Sequence, residues 1–181
     1  GGWSNRETAQ RFADYGALLF ERLGDRATRW ITHNEARITA DLGHRVGLLA
    51  PGIRDLGITA RVIHHLLLSH GLAVQAFRAE APKGEIGITH ANTSFEPDDD
   101  APETATATER ARDFHTRLYH DPVYGRGYPE TVRRYYEARG APFPVEDGDL
   151  EVIALSSTGM LYAWHHVGTE VAQPENPLAV G

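Results

Sequence analysis

Apolar residues near the start of the chain recur at helical spacing and predict an amphipathic helix. The small and apolar residues of its inner face are Ala9, Phe12, Ala13, Gly16, Leu19, Phe20 and Leu23. Ser4 followed by Glu7 has the spacing of a capping box, and Gly24 is a typical C-terminal stop. The pattern therefore predicts a helix that begins near Ser4 and ends before Gly24.

Short apolar segments alternate with longer helical patterns in the remainder of the chain. Strands are predicted near residues 29–34, 85–90 and 158–163. Helices are predicted near residues 56–79, 103–119 and 129–140, with irregular connections at 96–103 and 144–149. Strands that alternate with long helices are typical of parallel β/α units with right-handed crossovers, so the sequence predicts an α/β fold.

The predicted domain covers residues 1–167, and an irregular tail that contains two prolines follows at 168–181. Three parallel strands cannot close a barrel, and an open sheet of this kind has two unpaired edges and an uncovered apolar face. We therefore expect the chain to form a homo-oligomer, most simply a dimer, that buries these surfaces.

The composition argues against several classes of partner and site. A formal charge of −7 disfavours a nucleic-acid-binding surface, because phosphate contacts need clustered Lys and Arg. The chain has no cysteine, which excludes disulfides and thiolate metal sites. No segment resembles a signal peptide, and no apolar run reaches the ~18 residues of a membrane span. We therefore expect a cytoplasmic protein that binds neither nucleic acid nor a membrane.

A polar pair at the end of the first predicted strand is the strongest candidate for chemistry. The apolar segment Arg29–Asn34 stops abruptly at Asn34 and Glu35. In α/β sheets, ligands and catalytic groups collect at the carboxyl ends of strands, where a carboxylate can donate or accept a proton. The structural alternatives are an exposed loop carboxylate for Glu35 and an Asx turn for Asn34.

This strand end resembles the acid/base signature of glycoside hydrolase family 1, the β-glucosidase family. The family typically reads Thr-x-Asn-Glu-Pro, and this chain reads Thr32-His33-Asn34-Glu35-Ala36. Other segments resemble the family in the same order along the chain, namely residues 1–6, 24–30, 50–55, 64–71, 84–89 and 121–129. Together these matches extend from residue 1 to about residue 155 and are highly specific.

The resemblance implies a partial (half) TIM barrel with about three or four parallel β/α units, completed or covered by oligomerisation. A complete (β/α)₈ barrel needs about 250 residues, so the chain resembles a middle portion with the fourth to sixth strands. The resemblance also implies that Glu35 is the acid/base residue and that Asn34 binds a sugar hydroxyl. The family's nucleophile motif, Glu-Asn-Gly, does not occur, and Glu175-Asn176-Pro177 lies in the proline-containing tail.

Departures from the family pattern cluster at the predicted strand ends, whereas the helices and turns keep it. Ala36-Arg37 replaces Pro-Trp, and Asp41 replaces a residue that is usually apolar or aromatic. Near the second strand Thr-Leu-Asn becomes Thr89-His90-Ala91-Asn92, and near the third Leu161 and Ala163 stand where Asn and Tyr are expected. This distribution favours a pocket that has been adapted to another reaction.

Other strand-end residues could converge on Glu35. We expect Glu35, His90 and Tyr162 to be catalytic and to face one cavity, with Glu35 partly buried beside Trp30 or Trp164. The substrate-binding candidates are Asn34, Arg37, Asp41, Asn92, Trp164 and His165. A Glu with two His could also bind zinc, but their wide spacing is not a ligand signature, so no metal or cofactor is predicted.

The sequence therefore predicts an acid/base enzyme derived from a glycosidase, with Glu35 as proton shuttle on a small organic molecule that carries a sugar or a ring. Retaining glycoside hydrolysis needs two carboxylates about 5–5.5 Å apart, and only one is identified. One alternative is a β-glucosidase-type segment whose nucleophile comes from a partner chain. The other is a non-catalytic binding or assembly module.

Overall fold

The computed structural model describes residues 1–80 and 83–154 with their side chains, and the backbone alone of Leu155 and Met160–Val171. The regular elements are α1 (Glu7–Leu23), β1 (Arg29–Asn34), α2 (Ala36–Ala40), α3 (Leu56–Glu80), β2 (Glu85–Glu96), α4 (Pro102–Arg112), α5 (Leu118–His120), α6 (Glu130–Glu137), α7 (Asp149–Leu155) and β3 (Met160–Val171). A 3₁₀ turn covers Gly2–Ser4, and two π-helical turns cover Asp41–Arg45 and Asp113–Arg117. None of the helices in these ranges is long and apolar enough to cross a bilayer.

The described strands form one parallel sheet in the order β1-β2-β3, as the alternation of strands and helices predicted. Trp30 of β1 pairs with Ile86 of β2, which pairs in turn with Met160 of β3. Because all three strands run in one direction, their carboxyl ends lie at the same edge of the sheet.

One face of the sheet is covered by helices, and this face is identified by alternate residues of β2. Ile86 packs in a buried cluster with Phe20 of α1 and Phe77 of α3. Ile88 belongs to the main buried cluster, which also contains Ile63, Leu66, Leu67, Phe114, Leu118 and Tyr136. Because side chains alternate between the faces of a strand, His90 and Asn92 lie on this helix-covered face, whereas Thr89 and Ala91 lie on the opposite face.

Helix α3 is buried along most of its length because it packs between the sheet, α1 and α7. Its polar residues His64, His65 and His70 are buried within the helix layer. Gly71 marks the crossing with α7, where a Cβ atom would collide with the backbone carbonyl of Val152. A glycine is therefore required at this crossing.

Strand β1 contains a bulge that turns two successive side chains toward the helices. The register with β2 shifts between Ile31 and Asn34. As a result, Thr32 Oγ1 lies 2.8 Å from Nδ1 of His70, and His33 Nε2 lies 2.8 Å from Oγ of Ser69, both on α3. The bulge therefore changes which residues of this strand reach the opposite face.

The start of α1 differs from the predicted capping box. The helix begins at Glu7, and the Ser4 hydroxyl donates to the Gly1 carbonyl oxygen at 2.9 Å within the preceding 3₁₀ turn. Asn5 instead accepts a hydrogen bond from the Glu7 amide through its side-chain oxygen at 3.1 Å. The cap prediction was wrong because the 3₁₀ turn occupies the position at which Ser4 would cap the helix.

Two strands are longer at their carboxyl ends than predicted. β2 continues past His90 to Glu96, and β3 (Met160–Val171) continues past its predicted end at residue 163. The predicted irregular tail therefore begins inside β3, because Ser94 pairs with Thr169 and Glu96 pairs with Val171. Residues 172–181 of that tail lie outside the described residues. The dimer expected from the open sheet edges stays a prediction.

Candidate active site

Glu35 occupies the carboxyl end of β1 in an unusual backbone conformation. Its φ of 55° and ψ of 61° are left-handed, and among the described residues it is the one non-glycine residue with positive φ. A side chain makes this conformation costly, and such residues cluster at functional sites. The polar pair that the sequence singled out therefore coincides with the clearest backbone outlier of the described chain.

The turn at Glu35 is held between the sheet and α2. The Glu35 amide donates to the Thr89 carbonyl oxygen at 2.9 Å, and the Glu35 carbonyl oxygen accepts from the Ile38 amide at 2.9 Å. Asn34 pairs with Thr89 and is exposed on the face of the sheet away from the helices. Glu35 is partly buried, as predicted, and lies directly after the carboxyl end of β1.

The predicted neighbour Trp30 is not beside Glu35. Trp30 lies near the start of β1 on the helix-covered face, where its ring packs edge-on against Phe20 at 5.0 Å between centroids. Its indole N–H donates to the Ala27 carbonyl oxygen at 3.2 Å. Trp30 is therefore a packing residue, because its position in the alternation of β1 directs it toward α1.

Arg37 lies two residues after Glu35 and contacts both the sheet and the helix layer. Its Nε donates to the Ala91 carbonyl oxygen at 3.3 Å, and its Nη1 donates to Nδ1 of His115 at 3.2 Å. Burial lowers the pKa of His115 to about 4, and the charges of Arg37 and Arg45 lower it further. The imidazole is therefore neutral at neutral pH and can accept this hydrogen bond.

Asp41 is buried in the helix layer, whereas a substrate-binding residue should be accessible. Burial raises its pKa, although the neighbouring charges of Arg45 and Arg37 oppose that shift. Its Oδ1 accepts from Arg45 Nε at 3.4 Å beside a cavity of about 20 Å³. The residues that line this cavity are Asp41, Arg45, Phe114, His115, Leu118, Tyr135 and Tyr136. A space of this size holds about one water, so Asp41 is not brought to a substrate pocket.

His90 and Asn92 are likewise directed into the helix layer. The His90 ring is 5% exposed and lies 4.3 Å from the ring of His120 between centroids. His120 Nε2 donates to Oδ1 of Asn92 at 2.9 Å. Burial, with a smaller effect of His120, lowers the pKa of His90 to about 3, so it is neutral at neutral pH. The structure therefore does not bring His90 or Asn92 into a common cavity with Glu35.

The three candidates from β3 are described only by their backbone. Tyr162 pairs with Ile88, Trp164 pairs with His90, and His165 pairs with Ala91. The predicted contacts of their side chains lie outside the described residues. Within the residues whose side chains are described, no group of three or more His, Asp or Glu is arranged to hold a metal ion.

A polar network around the buried Asp149, which the sequence did not reveal, joins Arg6 at the N-cap of α1 to α3 and α7. Asp149 accepts from Arg6 Nη1, from His64 Nε2 and from the Glu146 amide, each at 2.8 Å. Burial would raise the pKa of Asp149, but these hydrogen bonds outweigh it and lower the pKa to about 2. His64 Nδ1 also lies 2.9 Å from the Tyr128 hydroxyl. The only sequence signal was a His-His pair inside an apolar helix.

Comparison with known proteins identifies one family over nearly the whole chain. The family model described as Glycosyl hydrolase family 1 matches residues 1–176. Beta-glucosidase A of Thermotoga maritima is 42% identical over 136 residues, which are 75% of this chain and 30% of that protein. Beta-glucosidase A of Acetivibrio thermocellus is 38% identical over 154 residues, which are 85% of this chain and 34% of that protein.

Solved structures agree with this match. The AHE enzyme from Alicyclobacillus herbarius superposes with a TM-score of 0.88 at 42% identity, over 94% of this chain and 39% of that one. The family 1 b-glucosidase from Thermotoga maritima gives a TM-score of 0.82 at 35% identity, over 94% of this chain and 38% of that one. The chain thus forms part of an α/β barrel with parallel strands and spans about a third of the curated relatives it matches.

Proposed function

Because this chain belongs to glycosyl hydrolase family 1, we propose that it carries the general acid/base residue of a glycoside hydrolase and that Glu35 is this residue. The observation that carries the proposal is the backbone of Glu35, which is left-handed at the carboxyl end of a parallel strand. Its neighbour Asn34 is exposed on the sheet face opposite the helices, within reach of a substrate at the strand ends.

The proposed chemistry uses Glu35 twice. In the first step a nucleophilic carboxylate, which lies outside the described residues, bonds to the anomeric carbon while the bond to the glycosidic oxygen breaks and the protonated Glu35 carboxyl group donates its proton to that oxygen. In the second step water attacks the anomeric carbon and releases the nucleophilic carboxylate, while the Glu35 carboxylate accepts the proton of that water. Asn34 would donate a hydrogen bond to a sugar hydroxyl and orient the ring beside Glu35.

A retaining mechanism needs a second carboxylate about 5–5.5 Å from the first. The proposal assigns the acid/base role alone and places the nucleophile on none of the described residues. Two relatives are named beta-glucosidases, and we therefore propose a β-glucoside as the class of substrate.

A second candidate function is acid/base catalysis of another reaction on a small sugar- or ring-bearing molecule. It is favoured by Arg37, two residues after Glu35, which has a guanidinium where the family pattern has Trp. In this function Glu35 would still move the proton, but no glycosidic bond would be cleaved. A binding or assembly module without catalysis is the third outcome of the experiment that follows.

Aryl β-glucosides with leaving groups of different acidity test the proposal. Glu35→Gln should lower kcat/KM for a phenyl glucoside, whose leaving group needs protonation, by about 100-fold or more. It should lower kcat/KM much less for a dinitrophenyl glucoside, because that leaving group departs without a proton. The matched control is Glu85→Gln, which removes an exposed carboxylate at the opposite end of the sheet and should change neither rate by more than about twofold.

Two results would contradict the proposal. Turnover of both glucosides that is unchanged in Glu35→Gln would remove Glu35 from the acid/base role. Absence of any turnover by the unsubstituted protein would show that this chain alone does not hydrolyse glycosides, and would favour the second candidate, the binding module or a nucleophile from a partner chain.

A further inference from the structure

We propose that Arg37 is a positioning residue for Glu35, because its guanidinium fastens the turn that carries Glu35 to strand β2 and to the helix layer. The catalytic consequence of this inference rests on the proposed acid/base role of Glu35. The positioning itself is a property of the backbone and can be measured without any substrate.

The conformation of Glu35 needs external support. A left-handed backbone is unfavourable for a residue with a side chain and persists only where the surrounding structure holds it. Three backbone hydrogen bonds contribute, because the Glu35 amide donates to Thr89 and the Glu35 carbonyl oxygen accepts from the Ile38 and Thr39 amides. The first joins the turn to β2 at Glu35 itself, and the other two stay within the turn, so none of these three bonds joins the residues after Glu35 to the sheet.

Arg37 supplies that missing link. β1 ends at Asn34, which pairs with Thr89. The next carbonyl of β2 that points toward the β1 side is that of Ala91, and no residue of β1 reaches it. The carbonyl oxygens of Thr89 and Ala91 point the same way because they are two residues apart on one strand. Thr89 receives the Glu35 amide, and Ala91 receives the Arg37 guanidinium at 3.3 Å. The side chain thus continues the hydrogen-bond ladder where the strand has stopped.

The other end of the guanidinium is held by His115. Arg37 Nη1 donates to His115 Nδ1 at 3.2 Å, and His115 is buried in the second π-helical turn. The neutral imidazole accepts this bond, so the guanidinium is fixed between β2 and the helix layer. A Trp at this position, as in the family pattern, offers one N–H donor and could not make both contacts.

Hydrogen exchange at the Glu35 amide tests the positioning directly. Arg37→Met keeps most of the side-chain length and removes the donors, so exchange of the Glu35 amide should become about tenfold faster. The matched control is Arg112→Met, because Arg112 Nη2 donates to the carbonyl oxygen of Phe95 on the same strand at 2.7 Å, farther from the turn. That variant should leave the Glu35 amide unchanged.

Arg37→Lys is the conservative variant. Lysine keeps the charge and can reach Ala91, but it cannot bridge to His115 at the same time, so it should give an intermediate exchange rate. The inference is overturned if exchange at Glu35 is unchanged in Arg37→Met, or if Arg112→Met accelerates it equally. Because Arg37→Lys retains one contact, it also provides a folded variant for comparison.

Kinetics separate positioning from a general structural role. Arg37→Met should lower kcat for the phenyl glucoside about tenfold with KM unchanged, and should spare the dinitrophenyl glucoside. A merely structural role would lower both rates together. Faster exchange in Arg37→Met with no effect of Glu35→Gln on turnover would refute the proposed function and leave the positioning intact. Loss of activity in Glu35→Gln with normal exchange in Arg37→Met would refute the positioning alone.

Discussion

At the scale of single residues, the position of a site residue depends on its place in the strand alternation. Glu35 could be found from the sequence because a polar pair ends an apolar strand. His90 was expected beside it, yet it follows Ile86 and Ile88 at a spacing of two, and both pack under the helices. That periodicity is present in the sequence and would have placed His90 in the helix layer.

The strain at Glu35 leads to a stability prediction. A left-handed backbone costs a residue with a side chain roughly 1–2 kcal/mol, and glycine avoids this cost. Glycine also loses more conformational entropy on folding, which costs about 0.5–1 kcal/mol. Glu35→Gly should therefore raise the free energy of unfolding by about 0.5–1 kcal/mol, measured by urea denaturation.

Asn34→Gly is the control for this measurement. Asn34 ends β1 without the positive φ of Glu35, so its replacement by glycine should destabilise the protein by about 0.5–1 kcal/mol. A Glu35→Gly variant that is destabilised as much as Asn34→Gly would show that the turn is not strained.

At the scale of elements, the sequence predicted best where hydrophobic periodicity is strong. The predicted bounds of β1 agree with Arg29–Asn34, and the long helix predicted at 56–79 is observed as Leu56–Glu80. The end of β2 was missed because Thr93, Ser94 and Glu96 resemble a loop, and they are strand only through pairing with β3. Short α2 was missed because five residues carry too little periodicity.

The network at Asp149 predicts how three helices are held together. Asp149→Asn removes the charge that Arg6 and His64 contact, and it should destabilise the protein by about 2–3 kcal/mol. This is below the full effect of breaking a buried ion pair, because the Arg6 side chain is 36% exposed.

Thermal unfolding measures the loss of stability in Asp149→Asn. The control is Asp147→Asn at an exposed position nearby, which should change stability by less than about 0.5 kcal/mol. Equal effects of the two variants would contradict a special role for Asp149.

At the scale of the whole molecule, the architecture could be predicted but the composition of the site could not. The alternation of strands and helices and the family motifs were sufficient for a partial parallel barrel. Which residues form the site also depends on the bulge in β1 and on the register of β2. Neither can be predicted from the pattern of residue types along the chain. An apolar groove of about 220 Å³ lies between α1 and β1, and Tyr15 of α1 and Ile31 of β1 are exposed beside it, so this edge of the sheet is uncovered in the described chain.

Buried histidines make the fold sensitive to acid. Burial lowers the pKa of His90 to about 3 and that of His33, His115 and His120 to about 4, and it lowers the pKa of His70 well below its ordinary value. The unfolded chain therefore binds protons first as the pH falls below about 6.5. Stability is fully present above about pH 6.5 and is lost as the pH falls toward 4, by about 1.4 kcal/mol per pH unit for each histidine.

Urea midpoints at pH 7.5, 6 and 5 test this expectation. These histidines act in the same direction, and the raised pKa of Asp41 opposes them. We expect the urea midpoint to fall from pH 7.5 to pH 5. His90→Leu should stabilise the protein and reduce the pH slope, because both nitrogens of His90 lack a hydrogen-bond partner among the described residues. A midpoint that is constant from pH 7.5 to 5 would contradict the argument.

The most direct test of the acid/base role is rescue of Glu35→Gly by azide. Glycine suits the positive φ of this position and leaves a space where the carboxylate stood. Azide in that space attacks the anomeric carbon of the covalent glycosyl intermediate in place of water, releases the nucleophilic carboxylate, and needs no general base. The account predicts that azide restores turnover of a dinitrophenyl β-glucoside and yields a β-glucosyl azide, whereas Glu85→Gly is unaffected by azide. Turnover of Glu35→Gly that is independent of azide would contradict the acid/base role of Glu35, and no turnover by the unsubstituted protein would show that this chain alone does not hydrolyse glucosides.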